Sequence, residues 1–268
     1  MSAANPGNTG TITLRTSIHL EKTTSDGYVL VGSIRNSGNQ KAHRIVIEAG
    51  DRLQNQVERN LRKHIAVEIP PKAGSDFKLE LPARLFPKDE TGIHFLPLTL
   101  FYRDQENYLF SSPLLLQTLW RKSSVGTLEL IRSGSAQAEA GRVVLDLFDR
   151  SEVDVEISNP GTEVLNLRLD SWTTREIEVR SKAGSFFRLG PLQSMKVPIE
   201  VTNLSGAAGS RYVNYLIFSA AKGGERQAEV HELVAHIQGT PTTAIQAWAI
   251  LLLGLAFIWR GARKTDPK

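Results

Sequence analysis

Three features of the 268-residue chain predict an all-β fold, with two tandem β-sandwich domains followed by one C-terminal transmembrane helix. Short runs of alternating apolar and polar residues, parted by Gly, Pro and Asn, fill most of the chain. A set of sequence landmarks recurs in the same order roughly 120 residues apart. One uncharged apolar run stands near the end, from 240 to 259.

The strands follow from period-two patterning. Ile12, Leu14, Ile18 and Leu20 fall on one face of a first strand, and Asp26-Gly27 marks a turn. Tyr28 to Arg35 and Ala42 to Glu48 are the next two strands, joined by Asn36-Ser-Gly-Asn39, whose Asn and Gly tolerate positive φ. Leu53, Val57, Leu61 and Ile65 recur every fourth residue, so 51–64 reads as a short amphipathic helix or an irregular crossover. Ile65 to Ile69, Phe77 to Leu81, Ile93 to Arg103 and Tyr108 to Leu119 complete the first half, with Pro97 indicating an edge strand or a bulge.

The second half keeps this register. Val153 to Gly161, with Asn159-Pro-Gly161 at its end, matches Leu30 to Gly38. Gly190 to Val201 matches Pro70 to Leu81, and Gly209 to Phe218 matches Gly92 to Phe101. Three ordered matches predict a duplicated domain. The resulting layout is a flexible start (1–10), a first sandwich (11–120), a linker (121–127), a second sandwich (128–238), the span (240–259) and a basic tail (260–268).

A strand ending in Asn-x-Gly, a return strand, a Pro-containing turn before an alternating strand, then a Gly-led strand reaching Tyr102-Arg-Asp104, resembles the bacterial immunoglobulin-like modules of the CARDB type. The likeness covers most of both halves, and the second half lacks the acidic turn. It implies an immunoglobulin-like sandwich with a scaffolding or adhesive role, and it carries over no catalytic residues.

Thr240 suits an N-cap and Pro241 the first helical position, giving a helix of about 20 residues and ~30 Å. Trp248, Leu251, Leu252, Leu253, Leu255, Phe257, Ile258 and Trp259 form its apolar anchor. Arg260, Arg263, Lys264 and Lys268 follow, so the positive-inside rule places the tail in the cytoplasm and the bulk outside a bacterial cell membrane, in the periplasm or beyond. That orientation expects a secretory leader upstream of, or removed from, the start at Met1.

The net charge of +4 owes much to this tail, so no nucleic-acid partner is expected. The absence of cysteine excludes disulfides, thiolate metal sites and cysteine nucleophiles. His231 and His236 stand five apart rather than the four of a helical zinc pair. No metal, cofactor or catalytic residue is expected. Among Trp172, Phe186, Phe187, Tyr212 and Tyr215, the candidates for a ligand or partner contact are Trp172, beyond the strand ending at Asp170, and Tyr212. The function expected is a membrane-anchored, outward-facing, non-catalytic scaffold or accessory subunit of a cell-envelope complex, binding a membrane or envelope protein through sandwich edges and loops. The alternative is a carbohydrate-binding or adhesive surface module.

Overall fold

The computed structural model describes residues 12–23, 27–49, 61–125, 127–136, 139–146 and 149–238. In chain order the first strands are β1 (Leu14–Lys22), β2 (Tyr28–Asn36), β3 (Ala42–Ala49), β4 (Leu61–Ile69), β5 (Gly74–Leu81), β6 (Thr91–Arg103), β7 (Leu109–Lys122) and β8 (Leu128–Ser135). They are followed by β9 (Glu139–Leu145), β10 (Arg150–Ser158), β11 (Leu165–Trp172), β12 (Ile177–Ser181), β13 (Phe186–Leu189), β14 (Ser194–Asn203), β15 (Arg211–Lys222) and β16 (Glu225–Ile237).

Strands β1, β2 and β5 form one sheet, and β4, β3, β6, β7 and β8 face it. Alternation turns Ile18, Leu20, Leu30, Ile34, Phe77 and Leu79 inward onto Ile45, Ile47, Leu98, Leu100 and Trp120. Gly32 of β2 leaves room for the Phe77 ring of the neighbouring β5, directly across from it, since a Cβ there would stand 2.4 Å from that ring. In the second half β10, β14 and β12 face β13, β11, β15, β16 and β9, around Ile157, Val197, Ile199, Val201, Phe187, Phe218 and Leu233. In the first half the third, sixth and seventh strands stand together against the first, second and fifth, and in the second half β11, β15 and β16 stand against β10 and β14, the arrangement of an immunoglobulin-like β-sandwich.

The two cores are joined edge to edge. Glu225 and Arg226 of β16 run parallel to Thr91 and Gly92 of β6, so one ten-stranded sheet passes from one sandwich into the other. A small apolar cluster of Leu115, Ile217 and Val230, flanked by Phe95 and Tyr215, packs at this joint.

Several expectations change. Residues 61–64 belong to β4 instead of a helix; 50–60 lie outside the described residues. Strand β6 is interior, between β3 and β7, and Pro97 sits one residue beyond Leu98, the last position registered on β3. The stretch expected as a linker is the turn of a hairpin: Lys122 pairs with Leu128, and β8 returns along β7 to pack Leu128 and Leu130 on the first core. The fold class is corrected: the described residues are all-β, with no transmembrane helix among them. Among the described residues no helix is long and apolar enough to cross a membrane, and the only helical turn is the 3-10 turn Ala83–Leu85. The expected anchor from Trp248 to Trp259 and the basic residues Arg260, Arg263, Lys264 and Lys268 lie outside the described residues.

Candidate functional site

The two aromatics singled out for ligand contact are both buried. Trp172 is the last residue of β11, is 6% exposed, and its indole Nε1 donates to the Leu98 carbonyl at 2.9 Å. It closes the joint between the sandwiches. Tyr212 is 3% exposed in the second core, and its hydroxyl accepts the Ala207 N–H at 3.0 Å. Neither ring faces solvent. His231 lies edge-on to the Phe218 ring, centroids 5.6 Å apart, and His236 sits further along β16. Among the described residues no group of three or more His, Asp or Glu is placed to hold a metal.

The most exposed aromatic ring among the described residues is Phe186, at 76%, ahead of Tyr108 at 43%. Phe186 opens β13, a four-residue strand paired, among the described residues, only with β11, while its neighbour Phe187 packs in the core. Several other edges carry charges or caps, while β4, β8 and β9 each expose one aliphatic residue, Val67, Ile131 and Val144. The N–H groups of Ile18 and Leu20 on β1 donate to the hydroxyls of Ser135 and Ser133 on β8, at 3.3 and 2.8 Å. Strand β4 exposes Arg62, Lys63 and His64, strand β10 exposes Glu152, Asp154 and Glu156, and the short β12 carries a Glu178–Arg180 ion pair. On β13 an exposed aromatic takes the place of such charges.

The backbone of β13 is aimed by its pairing. The Leu169 N–H donates to the Ser185 carbonyl at 2.8 Å. Because antiparallel residues alternate in direction, Phe187 and Leu189 then turn their polar backbone groups to β11, and Phe186 and Arg188 turn theirs to the open edge. Beside this edge lies a trough of about 720 Å³, lined among others by Phe186, Arg188, Arg168, Arg226, Glu90 and Glu225, with Ser219, Ala220 and Ala221 also on its wall. In register, Phe186 stands across from Arg168, and Arg168 across from Ser219, so small residues adjoin a row of large ones. Arg168 is tied to Asp170 at 2.9 Å. Arg188 has no ion-pair partner among the described residues.

A second polar group closes the joint. Glu176, 1% exposed, accepts from the Ser111 hydroxyl of β7 at 3.1 Å through Oε2, while Oε1 has no hydrogen-bond partner and lies 3.6 Å from Arg175 Nε. Burial pushes its carboxyl above the ordinary glutamate value, against the opposing pull of Ser111 and Arg175. Burial likewise raises the Tyr108 and Tyr212 hydroxyls, with the Glu176 charge adding to the effect.

The signal for Phe186 was present in the sequence. Two adjacent phenylalanines in a strand point to opposite faces, so one of Phe186 and Phe187 had to leave the core. The contributions of Glu90 and Arg226 come from other elements and had no such signal.

No family model and no curated protein matches the chain. Among solved structures it is similar to an ASH/PapD-like domain of human CEP192, at 13% identity over 39% of this chain and 84% of that one, with a TM-score of 0.33. It is also similar to Escherichia coli alpha-2-macroglobulin, at 10% identity over 84% of this chain and a TM-score of 0.29; the alignment spans 22% of the macroglobulin's length. The Vibrio cholerae VesB protease aligns at 8% identity over 82% of this chain and 95% of its own, with a TM-score of 0.27. The fold assignment above rests on the strand orders and the two cores.

Proposed function

We propose that the protein is a non-catalytic scaffold or accessory subunit, built from a duplicated immunoglobulin-like module of the CARDB type, that holds a partner protein at the β13 edge and its trough. The observation that carries this reading is Phe186: a large apolar ring, 76% exposed, on an open sheet edge, whereas the apolar residues exposed on β4, β8 and β9 are the smaller aliphatics Val67, Ile131 and Val144. Burying that ring against a partner is worth about 2 kcal/mol, which a solvated position forgoes. The duplication is supported by a shared device. Asn36 and Asn159, matched in the two halves, both accept from the glycine N–H two residues on (3.0 Å each) and both donate from Nδ2 to a carbonyl four residues on (2.7 Å each).

A photo-crosslinking residue placed at 186, with Val164, an exposed apolar position at 45%, as the control site, tests the docking. Adducts in the native host are expected from 186 and not from 164; equal labelling at both sites would sink the proposal. The carbohydrate-binding alternative uses the same ring, flanked by Asn166 and Arg188, as a stacking platform. A glycan-array signal lost in Phe186→Ala would favour it.

A further inference from the structure

Resting on that docking site, we infer that β13 takes an extended segment of a partner protein as an added strand, with an acidic side chain opposite Arg188 and an apolar one opposite Phe186. The backbone supplies the first argument. Phe186 and Arg188 each direct an N–H and a C=O at the open edge, and none of these groups has a hydrogen-bond partner among the described residues. An extended peptide satisfies them in ladder fashion, and the residues directly opposite Phe186 and Arg188 then lie on the same face as those two side chains.

The side chains supply the second argument. Arg168 is already neutralised by Asp170, and Arg226 shares its wall of the trough with Glu90 and Glu225. Arg188 is exposed and has no such counter-charge, so the complementary carboxylate belongs across from it. Opposite Phe186 an apolar side chain gains most, because the ring is exposed and the adjoining Ser219 and Ala221 leave room for it to lean inward. The β10 edge of the same chain, with Glu152, Asp154 and Glu156, meets the acidic requirement, but these alternate residues of its exposed face are all acidic and set no apolar side chain across from Phe186. A second copy is therefore an outcome to be tested, and the occupant proposed is a segment of another protein.

The test uses the full chain and fluorescein-labelled peptides of about ten residues repeating Glu-Thr-Val-Thr, which set Glu and Val alternately on one face. A Lys-for-Glu version is the charge control. Two N-methylated versions are the backbone controls, one blocking the Glu and Val amides that would face β13 and one blocking the Thr amides that would not. By fluorescence anisotropy the Glu peptide is expected to bind, while the Lys peptide and the Glu/Val-methylated peptide bind at least about tenfold more weakly. Thr methylation should change little. Arg188→Glu should invert the preference between the Glu and Lys peptides, and bound peptide should slow hydrogen exchange at the Phe186 and Arg188 amides. Equal binding of the two methylated forms, equal binding of the Glu and Lys peptides, or no binding at all would each overturn strand addition. Self-association that depends on protein concentration and is lost in Arg188→Glu would make a second copy the occupant and overturn the assignment to another protein. If the peptides fail while crosslinking at 186 still captures one protein, docking stands and strand addition falls; if crosslinking fails as well, both fall.

Discussion

Replacing Asn36 by alanine removes three hydrogen bonds from a site with no solvent access. The Asn36 side chain is 0% exposed; Nδ2 donates to the carbonyls of Gln40 and Ile69 at 2.7 and 3.1 Å, and Oδ1 accepts from the Gly38 N–H at 3.0 Å. The main-chain bonds from the Asn36 N–H to Ala73 O and from the Lys72 N–H to Asn36 O survive the substitution, so the loss is confined to the side chain. Each lost bond costs about 1 kcal/mol net, and more where the abandoned carbonyl stays buried, as at Ile69. Water can replace the donor at Gln40, which lies nearer the surface. The expected loss is about 2–4 kcal/mol. Asn36→Asp is the sharper test, because it keeps the acceptor for Gly38 and the side-chain volume while turning a lone pair toward two carbonyls. At pH 7 it should destabilise at least as much as the alanine. Urea denaturation of the full chain, followed by tryptophan fluorescence with Trp120 reporting from the first core, measures both. A change below about 0.5 kcal/mol for Asn36→Ala, or an aspartate variant milder than the alanine, would refute this account.

Three further outcomes follow from the site geometry. Trp172→Phe keeps most of the ring but leaves the Leu98 carbonyl without its donor, and should lower stability by about 1–3 kcal/mol in the same denaturation experiment. For Glu176 the folded-state pKa is raised above the unfolded one, so the stability it contributes is full below the unfolded pKa and is lost as pH rises through the folded pKa. Glu176→Gln should therefore exceed the wild type by on the order of 1 kcal/mol at pH 7–8 and draw level with it near pH 4; a constant difference across that range would count against it. Phe186→Ala should leave stability within about 0.5 kcal/mol of the wild type in thermal melts, because its ring contributes little to the core, whereas Phe187→Ala should cost about 3–5 kcal/mol.

Much of the strand content was legible because alternation is a local signal. Phe77-Lys-Leu-Glu-Leu81 reads the same way in the sequence as in the sheet, with Phe77, Leu79 and Leu81 buried and the residues between them exposed. The Asn-x-Gly turns were legible for a similar reason, since the side chain that makes them bonds within four residues. What alternation omits is the identity of the neighbouring layer. Trp172 is expected from the sequence beyond the strand ending at Asp170, as a candidate contact, yet the carbonyl that holds its indole is 74 residues away. The segment Ser123 to Thr127 had the composition of a linker and is a hairpin turn, because the polar residues that end a domain also suit a reversal. The pairing of β16 with β6 involves two residues of each strand and leaves no periodic trace at all.

That small pairing bears on the proposed binding site. The trough draws Glu90 from the first sandwich and Arg168, Phe186 and Arg188 from the second, so its shape depends on the joint. Gly92 is the point of closest approach: it has φ of 105°, and a Cβ there would stand 2.1 Å from the Arg226 carbonyl oxygen. No side-chain rotation relieves a clash between backbone atoms, so Gly92→Ala must part β6 from β16 at that register. If a partner touches both walls, it binds the closed joint more tightly than the open one, and by linkage its presence must stabilise the closed joint to the same degree. Gly92→Ala should then weaken a partner captured at Phe186 although it removes no contact with that partner, and the captured partner should slow hydrogen exchange at Glu225 and Arg226 in the wild type. An affinity untouched by Gly92→Ala would mean that the second sandwich binds by itself and that the Glu90 wall takes no part.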